Sequence, residues 1–314
     1  MIADLNTAVE FLKNNDNYLI LVHGHPDGDT LGCGLALKEA LVSCGKKAAV
    51  CCNDAVPAKF DYMGKLDSDD FAYEKIVAVD VADTKLLGKE IEQKYGNRID
   101  LCIDHHGSNR LYAENTLVDS EAAAACEIIL QIIRELKADI NKRIADCIYT
   151  GLSTDTGCFR YSNVTPRTMR MAADMIELGA DNTMINTVMF ETKTRTYAAL
   201  ERLALDGMKM YLDEKCALIT VTQEMYRISG SDESEVDAIA SLPRQIEGVL
   251  VGVTMREKPD GTFKVSMRSN ESADVSEICA TMGGGGHPRA AGCTVDGPAE
   301  KAVKTIIGSI EKFI

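Results

Sequence analysis

Residues 18–30 read Tyr-Leu-Ile-Leu-Val-His-Gly-His-Pro-Asp-Gly-Asp-Thr, and their order decides the fold. The run 18–22 is short, apolar and partly β-branched, the composition of a strand buried on both faces. Pro26, Asp27 and Gly28 make a turn, and Asp29 or Thr30 suits the N-cap of the helical pattern that continues to residue 43. Strand, turn and helix then recur. Runs 48–52, 75–79 and 98–103 are further short apolar segments bounded by Gly, Asp or Asn, while 84–95, 120–136 and 141–153 carry apolar residues at helical spacing. This alternation predicts an α/β fold, a parallel sheet with helices on both faces. Helices at 166–178 and 182–191 extend the unit.

A polar helical stretch over 192–205 reads as a linker. Beyond it the pattern is strand-rich: 208–212 and 217–222 flank an Asp213-Glu214-Lys215 turn, and 249–256 and 263–268 flank Glu257-Lys258-Pro259-Asp260-Gly261. A helix at 299–313 closes the chain. The expected organisation is therefore a larger α/β domain at 1–191, the linker, and a smaller α/β domain at 206–314.

Composition bounds the chemistry. With 314 residues, 46% apolar and 26% charged, the chain is ordinary globular protein long enough for two cores. Its 34 Lys+Arg against 48 Asp+Glu give a net charge of −14, which repels long duplex nucleic acid, so an anionic ligand must be captured locally. Eleven cysteines without a Cys-x-x-Cys pair, most in apolar runs, read as reduced core residues of a cytoplasmic protein. No signal peptide and no uncharged apolar run of membrane-spanning length are expected.

All five histidines fall in three Gly- or Asp-rich segments at expected loops. His23-Gly24-His25-Pro26-Asp27-Gly28-Asp29 follows the first strand, Asp80 the third, and Asp104-His105-His106-Gly107 the fourth; Thr154-Asp155-Thr156-Gly157 follows a helix ending near residue 153. Ligands of open parallel sheets bind beyond the carboxyl ends of the strands, so these segments converge on one crevice. Taken alone, the segment at 26–30 also reads as a turn and cap, and Asp80 with Asp83 as strand-end and cap residues, whereas Asp104-His105-His106 is less easily dismissed as a solvated turn. Together, His23, Asp27, Asp29, Asp80, His105 and Asp155 supply the carboxylate and imidazole donors that two divalent ions require. Four aspartates against two such ions leave a formally neutral centre that accepts a phosphate. Two ions sharing a bridging water are suited to in-line phosphoester hydrolysis. The donor set favours Mn²⁺ or Mg²⁺, with Co²⁺, zinc and iron chemically compatible. In the second domain, Gly283-Gly284-Gly285-Gly286-His287-Pro288-Arg289 reads as a backbone nest for an anion, with His287, Arg289, Arg268 and Ser269 adding donors.

In this order the motifs resemble the DHH phosphoesterase family with its C-terminal DHH-associated domain, and the size and two-domain form are similar to its nanoRNase/pAp phosphatase branch. The resemblance implies a DHH catalytic domain at 1–191 and a substrate-binding domain at 206–314, with the active site in the cleft between them. His23, Asp27 and a bridging Asp80 would hold one metal, and Asp29, Asp80, His105 and Asp155 the other. His106 would face the scissile phosphate beside the catalytic Asp80 and His105. Arg268, Ser269, Gly284, Gly285, Gly286, His287 and Arg289 would grip the terminal phosphate or nucleotide. Manganese is the implied cofactor. The motif fixes no role for His25.

The expected function is hydrolysis of very short RNA oligonucleotides from the 5′ end to nucleoside 5′-monophosphates, with removal of the 3′-phosphate of pAp as the second activity of the branch. The rival readings are a dinucleotide phosphodiesterase acting on pApA or cyclic di-AMP, a manganese pyrophosphatase, and a nucleotide-binding sensor without catalysis. No membrane partner is expected. A homodimer stays open, because an exposed apolar stripe cannot be told from core by sequence.

Overall fold

The computed structural model describes residues 1–67, 72–236, 238–270 and 273–314. They form two compact units, Met1–Thr192 and Lys193–Ile314. The first opens with α1 (Leu5–Asn14), which is capped by the Asp4 carboxylate. Next come β1 (Tyr18–Leu21), α2 (Gly28–Ser43), β2 (Ala48–Cys51), β3 (Lys75–Val79), α3 (Lys89–Tyr95), β4 (Leu101–Asp104) and β5 (Asn115–Val118). The unit ends with α4 (Ala125–Glu135), α5 (Lys142–Asp155), α6 (Pro166–Glu177) and α7 (Asn182–Asn186), the last running into a π-helical turn over Thr187–Glu191.

The five strands are all parallel in the order β2-β1-β3-β4-β5. The chain lays β2 on one side of β1 and then crosses to lay β3 on the other. This switch point opens a crevice at the carboxyl ends of β1 and β3. Alternation along β1 shows why both faces need helices: Tyr18 and Ile20 enter one core with α2, α4 and α5, while Leu19 and Leu21 enter a second with Ile91 and Tyr95 of α3.

The expected strands and helices are present with informative differences. The helix expected over 84–95 breaks into a 3₁₀ turn (Thr84–Leu87) and α3, because Gly88 sits at φ +85°. The helix expected from 120 starts at Ala125, and 120–124 is irregular. Asp155, expected in a loop, is the last residue of α5.

The second unit consists of α8 (Arg195–Asp206), β6 (Lys209–Tyr211), β7 (Cys216–Val221), α9 (Gln223–Ser229), β8 (Val251–Glu257), β9 (Thr262–Ser269), α10 (Val275–Ala280), β10 (Gly285–His287), β11 (Ala290–Asp296) and α11 (Ala299–Ile310). Its sheet runs β10-β11-β9-β8-β7-β6, with β7 and β8 parallel and the other pairs antiparallel. The expected β8–β9 hairpin is present in the register Arg256↔Lys264. Leu200 and Ala204 of α8, within the stretch read as a linker, are buried with Ile219, Val221 and Tyr226 of this unit. Val275, Ile278, Ile306 and Ile310 pack on the other side of the sheet. Among the described residues no helix is long and apolar enough to cross a membrane.

Candidate active site

Each carboxyl-end segment of the first sheet delivers a side chain to one place. His23 follows β1, and its Nδ1 lies 2.7 Å from the carbonyl oxygen of Gly24. That nitrogen carries the proton, so Nε2 presents its lone pair. Nε2 is 3.7 Å from Asp27 Oδ1 and 3.7 Å from Asp80 Oδ2. Asp27 is held as the N-cap of α2, its Oδ1 accepting the backbone N–H groups of Asp29 and Thr30 at 3.1 Å each. His105 repeats the His23 arrangement: its Nδ1 lies 3.1 Å from the Ala122 carbonyl, leaving Nε2 at 3.6 Å from Asp80 Oδ1 and 3.4 Å from Asp155 Oδ2.

Asp80 therefore stands between two donor groups. His23, Asp27 and Asp80 form one group and Asp29, His105 and Asp155 the other, with the donor atoms of each group within 4.8 Å of one another. Asp29 has a second task. Its two oxygens accept the backbone N–H groups of Ala125 at 2.6 Å and Cys126 at 3.0 Å, capping α4 from α2. That cap fixes where α4 starts, and so leaves the Ala122 carbonyl free to orient His105.

The donor set fits divalent metal. Asp80 Oδ1 and His105 Nε2 are buried without a hydrogen-bond partner, a pairing of acceptors that a cation would satisfy. Burial pushes the Asp80 carboxyl well above the ordinary carboxylate range, reinforced by the charges of Asp29, Asp27, Asp155 and Asp104. Burial does the same to Asp155, with Asp29 and Asp27 adding to it. A cluster that resists ionisation on its own calls for positive charge.

His106 sits at the rim. Its Nδ1 is 2.8 Å from Oδ1 of the fully buried Asp104, whose Oδ2 accepts a 2.6 Å bond from Asn109. Burial would raise the Asp104 carboxyl, but the bonds from His106 and Asn109 outweigh it and hold it below its usual range. His106 Nε2 is the nitrogen left for another partner. His25 adopts φ +53° and packs its Nδ1 3.1 Å from Asp54 Oδ2, with its ring almost fully exposed.

In the second unit a cleft of about 640 Å³ is lined by Arg268, Gly284 and Gly285. Arg256 and Lys264 line it too, and sequence reading passed them over because they occupy ordinary strand positions. Arg268 donates from Nη1 to the Met267 carbonyl at 3.0 Å. Gly286 and His287 lie in the edge strand β10. The expected nest does not form from Gly283 and Gly284, because their N–H groups bond the Ala280 and Cys279 carbonyls and close the end of α10. Ser269 is buried and donates to the Ala273 carbonyl at 2.6 Å. Arg289 Nη1 donates to the Asn270 and Ala273 carbonyls at 2.8 and 2.9 Å.

Family models match in two places: the DHH family, N-terminal domain, over residues 17–152, and the DHHA1 domain over residues 221–314. The bifunctional oligoribonuclease and PAP phosphatase NrnA of Thermus thermophilus is 30% identical over 305 residues, covering 95% of this chain and 88% of that protein. A probable bifunctional oligoribonuclease and PAP phosphatase NrnA of Streptococcus mutans is 28% identical over 290 residues, 91% of this chain and 92% of its own length. Among solved structures, an exopolyphosphatase-related protein from Bacteroides fragilis superposes with a TM-score of 0.88 at 26% identity, covering 98% of this chain and 96% of that one.

Proposed function

The chain belongs to the DHH phosphoesterase family, a DHH domain followed by a DHHA1 domain, and from that membership we propose that it is a metal-dependent phosphoric ester hydrolase. Its substrates are short RNA oligonucleotides, released as nucleoside 5′-monophosphates, and pAp, converted to AMP. The observation that carries this reading is the position of Asp80. One carboxylate faces His23 with one oxygen and His105 with the other, and the oxygen toward His105 is buried without a partner.

His23, Asp27 and Asp80 would hold one divalent ion, and Asp29, Asp80, His105 and Asp155 a second, with Mn²⁺ as the proposed metal. When bound, such ions polarise a phosphoryl oxygen and make water a nucleophile near neutral pH. The protein's own groups do the rest. The carbonyls of Gly24 and Ala122 fix the His23 and His105 rings so that each offers Nε2. The Asp104 carboxylate accepts from Nδ1 of His106 and favours its doubly protonated form, so Nε2 also carries a proton that it can donate to a phosphoryl or leaving oxygen. In the second unit Arg268, with Lys264 lining the same cleft further along β9, supplies positive charge for a terminal phosphate on a chain that is otherwise acidic. Gly285, Gly286 and His287 would offer backbone and imidazole donors near it, whereas the Gly284 amide is taken up in closing α10 and the bonds of Ser269 and Arg289 suit them to fixing the neighbouring loop.

The test is metal-stripped protein given Mn²⁺ and offered pAp, pApA, a five-nucleotide RNA, cyclic di-AMP and pyrophosphate. The reading requires pAp and the short RNAs to be turned over fastest. Fastest turnover of cyclic di-AMP or pyrophosphate would replace it. Asp80→Asn removes the shared charge and is expected to lower kcat at least about 10³-fold with the fold intact by circular dichroism. A nucleotide-binding sensor would show no turnover to lose.

A further inference from the structure

The donor Asp155 is followed at once by an unusual backbone. Gly157, Cys158 and Phe159 have φ values of +55°, +59° and +60°, a full left-handed turn in which two residues carry side chains. Such a turn persists only where its surroundings over-determine it. Here they do: Cys158 N–H bonds the Ser153 carbonyl at 2.7 Å, Phe159 N–H the hydroxyl of the fully buried Thr156 at 3.0 Å, and Arg160 and Tyr161 N–H groups the Thr156 carbonyl. Phe159 packs its ring 5.8 Å from that of Tyr149.

What the turn presents is Tyr161. A Cβ placed on Gly157 would lie 2.3 Å from Tyr161 Cζ, 2.4 Å from Cε1 and 2.7 Å from Cε2, with the hydroxyl not among the nearest atoms. Glycine therefore lies over the plane of the ring, not beyond its end. One face of Tyr161 is packed on the backbone and the residue is still 52% exposed, so the ring keeps an open face. Its hydroxyl makes no hydrogen bond among the described residues, so the ring is placed by packing alone. Asn163 then ties the segment to the metal side of the unit, donating to the carbonyl of Asp155 at 3.2 Å and to that of Ala123, next to the carbonyl that orients His105, at 3.1 Å.

We propose that Tyr161 is a nucleobase-stacking residue, a rigid aromatic plate at the Asp155 and His105 edge of the centre that positions the nucleotide whose phosphate is cut. Aromatic side chains bind unstacked bases in this way without choosing among them, since every base has a π face. The inference rests on the reading of the centre as a nucleotide phosphoesterase and adds how it distinguishes a nucleotide from a bare sugar phosphate.

The experiment uses full-length protein with Mn²⁺ and compares pAp with ribose 3,5-bisphosphate, the same sugar and phosphates without a base. Wild type is expected to favour pAp, and Tyr161→Phe and Tyr161→Trp to keep that preference. Tyr161→Ala is expected to lose about 10-fold or more in kcat/KM on pAp, mostly through KM, while its rate on the base-free compound is unchanged. Equal losses on both compounds, a loss in Tyr161→Phe matching that in Tyr161→Ala, or a wild type indifferent to the base would overturn the proposal. If neither bisphosphate is hydrolysed, the functional reading fails. The stacking claim is then decided by calorimetry: AMP must bind tighter than ribose 5-phosphate to wild type, and Tyr161→Ala must abolish the difference.

Discussion

His106 and Asp104 show how much a single buried contact does at this centre. Asp104 ends β4, is fully buried, and binds both Nδ1 of His106 and the backbone N–H groups of His105 and His106. Asp104→Asn keeps the shape but removes the charge that keeps the proton on Nδ1. Its kcat is expected to fall about 10²-fold or more at constant metal affinity, checked by steady-state kinetics beside Mn²⁺ titration. The aspartates toward the interior predict a pH effect. Burial and mutual repulsion raise the Asp80 and Asp155 carboxyls in the metal-free protein, so the folded state holds more protons than the unfolded one. That contribution to stability is full below about pH 4 and is lost as pH rises through their raised pKa values. Metal-free protein is therefore expected to melt lower at pH 7 than at pH 5, with Mn²⁺ restoring the loss and releasing protons, both measurable by calorimetry. At this scale the sequence was most legible, because His and Asp in loops after apolar strands have few structural reasons to cluster. Tyr161 was not, since an aromatic near a turn reads as core until its open face is seen.

At the scale of elements, the strands announced themselves where both faces are buried and stayed silent where they are not. β1 is an unbroken apolar run, and β3 and β4 are apolar except for Lys75 at the start of one and Asp104 at the end of the other, whereas Asn115–Val118 is a four-residue edge strand and β11 is largely small residues, so neither stands out. The start of α4 was equally hidden. Its N-terminal donors are capped by Asp29, distant in sequence, while Ala124 at its N-cap supplies no side-chain bond. Asp29→Ala is expected to destabilise metal-free protein by about 2 kcal/mol in urea unfolding, because it leaves two buried N–H groups unpaired. Asp155→Asn, which removes a repelled charge and no cap, is expected to leave metal-free stability unchanged or higher while reducing the Mn²⁺-induced rise in melting temperature.

At the scale of the whole molecule, the two units have separate cores, so unfolding need not be a single transition. Scanning calorimetry with and without Mn²⁺ is expected to move a transition belonging to Met1–Thr192 and leave one belonging to Lys193–Ile314 in place. Two such units were legible from the change in pattern near residue 192. The glycine run was misread in part because a run of flexible residues does not reveal that its amides close a helix. Finally, the donors of the first unit enter the chain at widely separated points, His23 early and Asp155 only at the end of α5. During synthesis, a ribosome-bound fragment that lacks α5 has neither the last carboxylate nor the helix that seats it. The full donor set thus assembles late, after the sheet is complete, and a translation product that stops short of α5 lacks it.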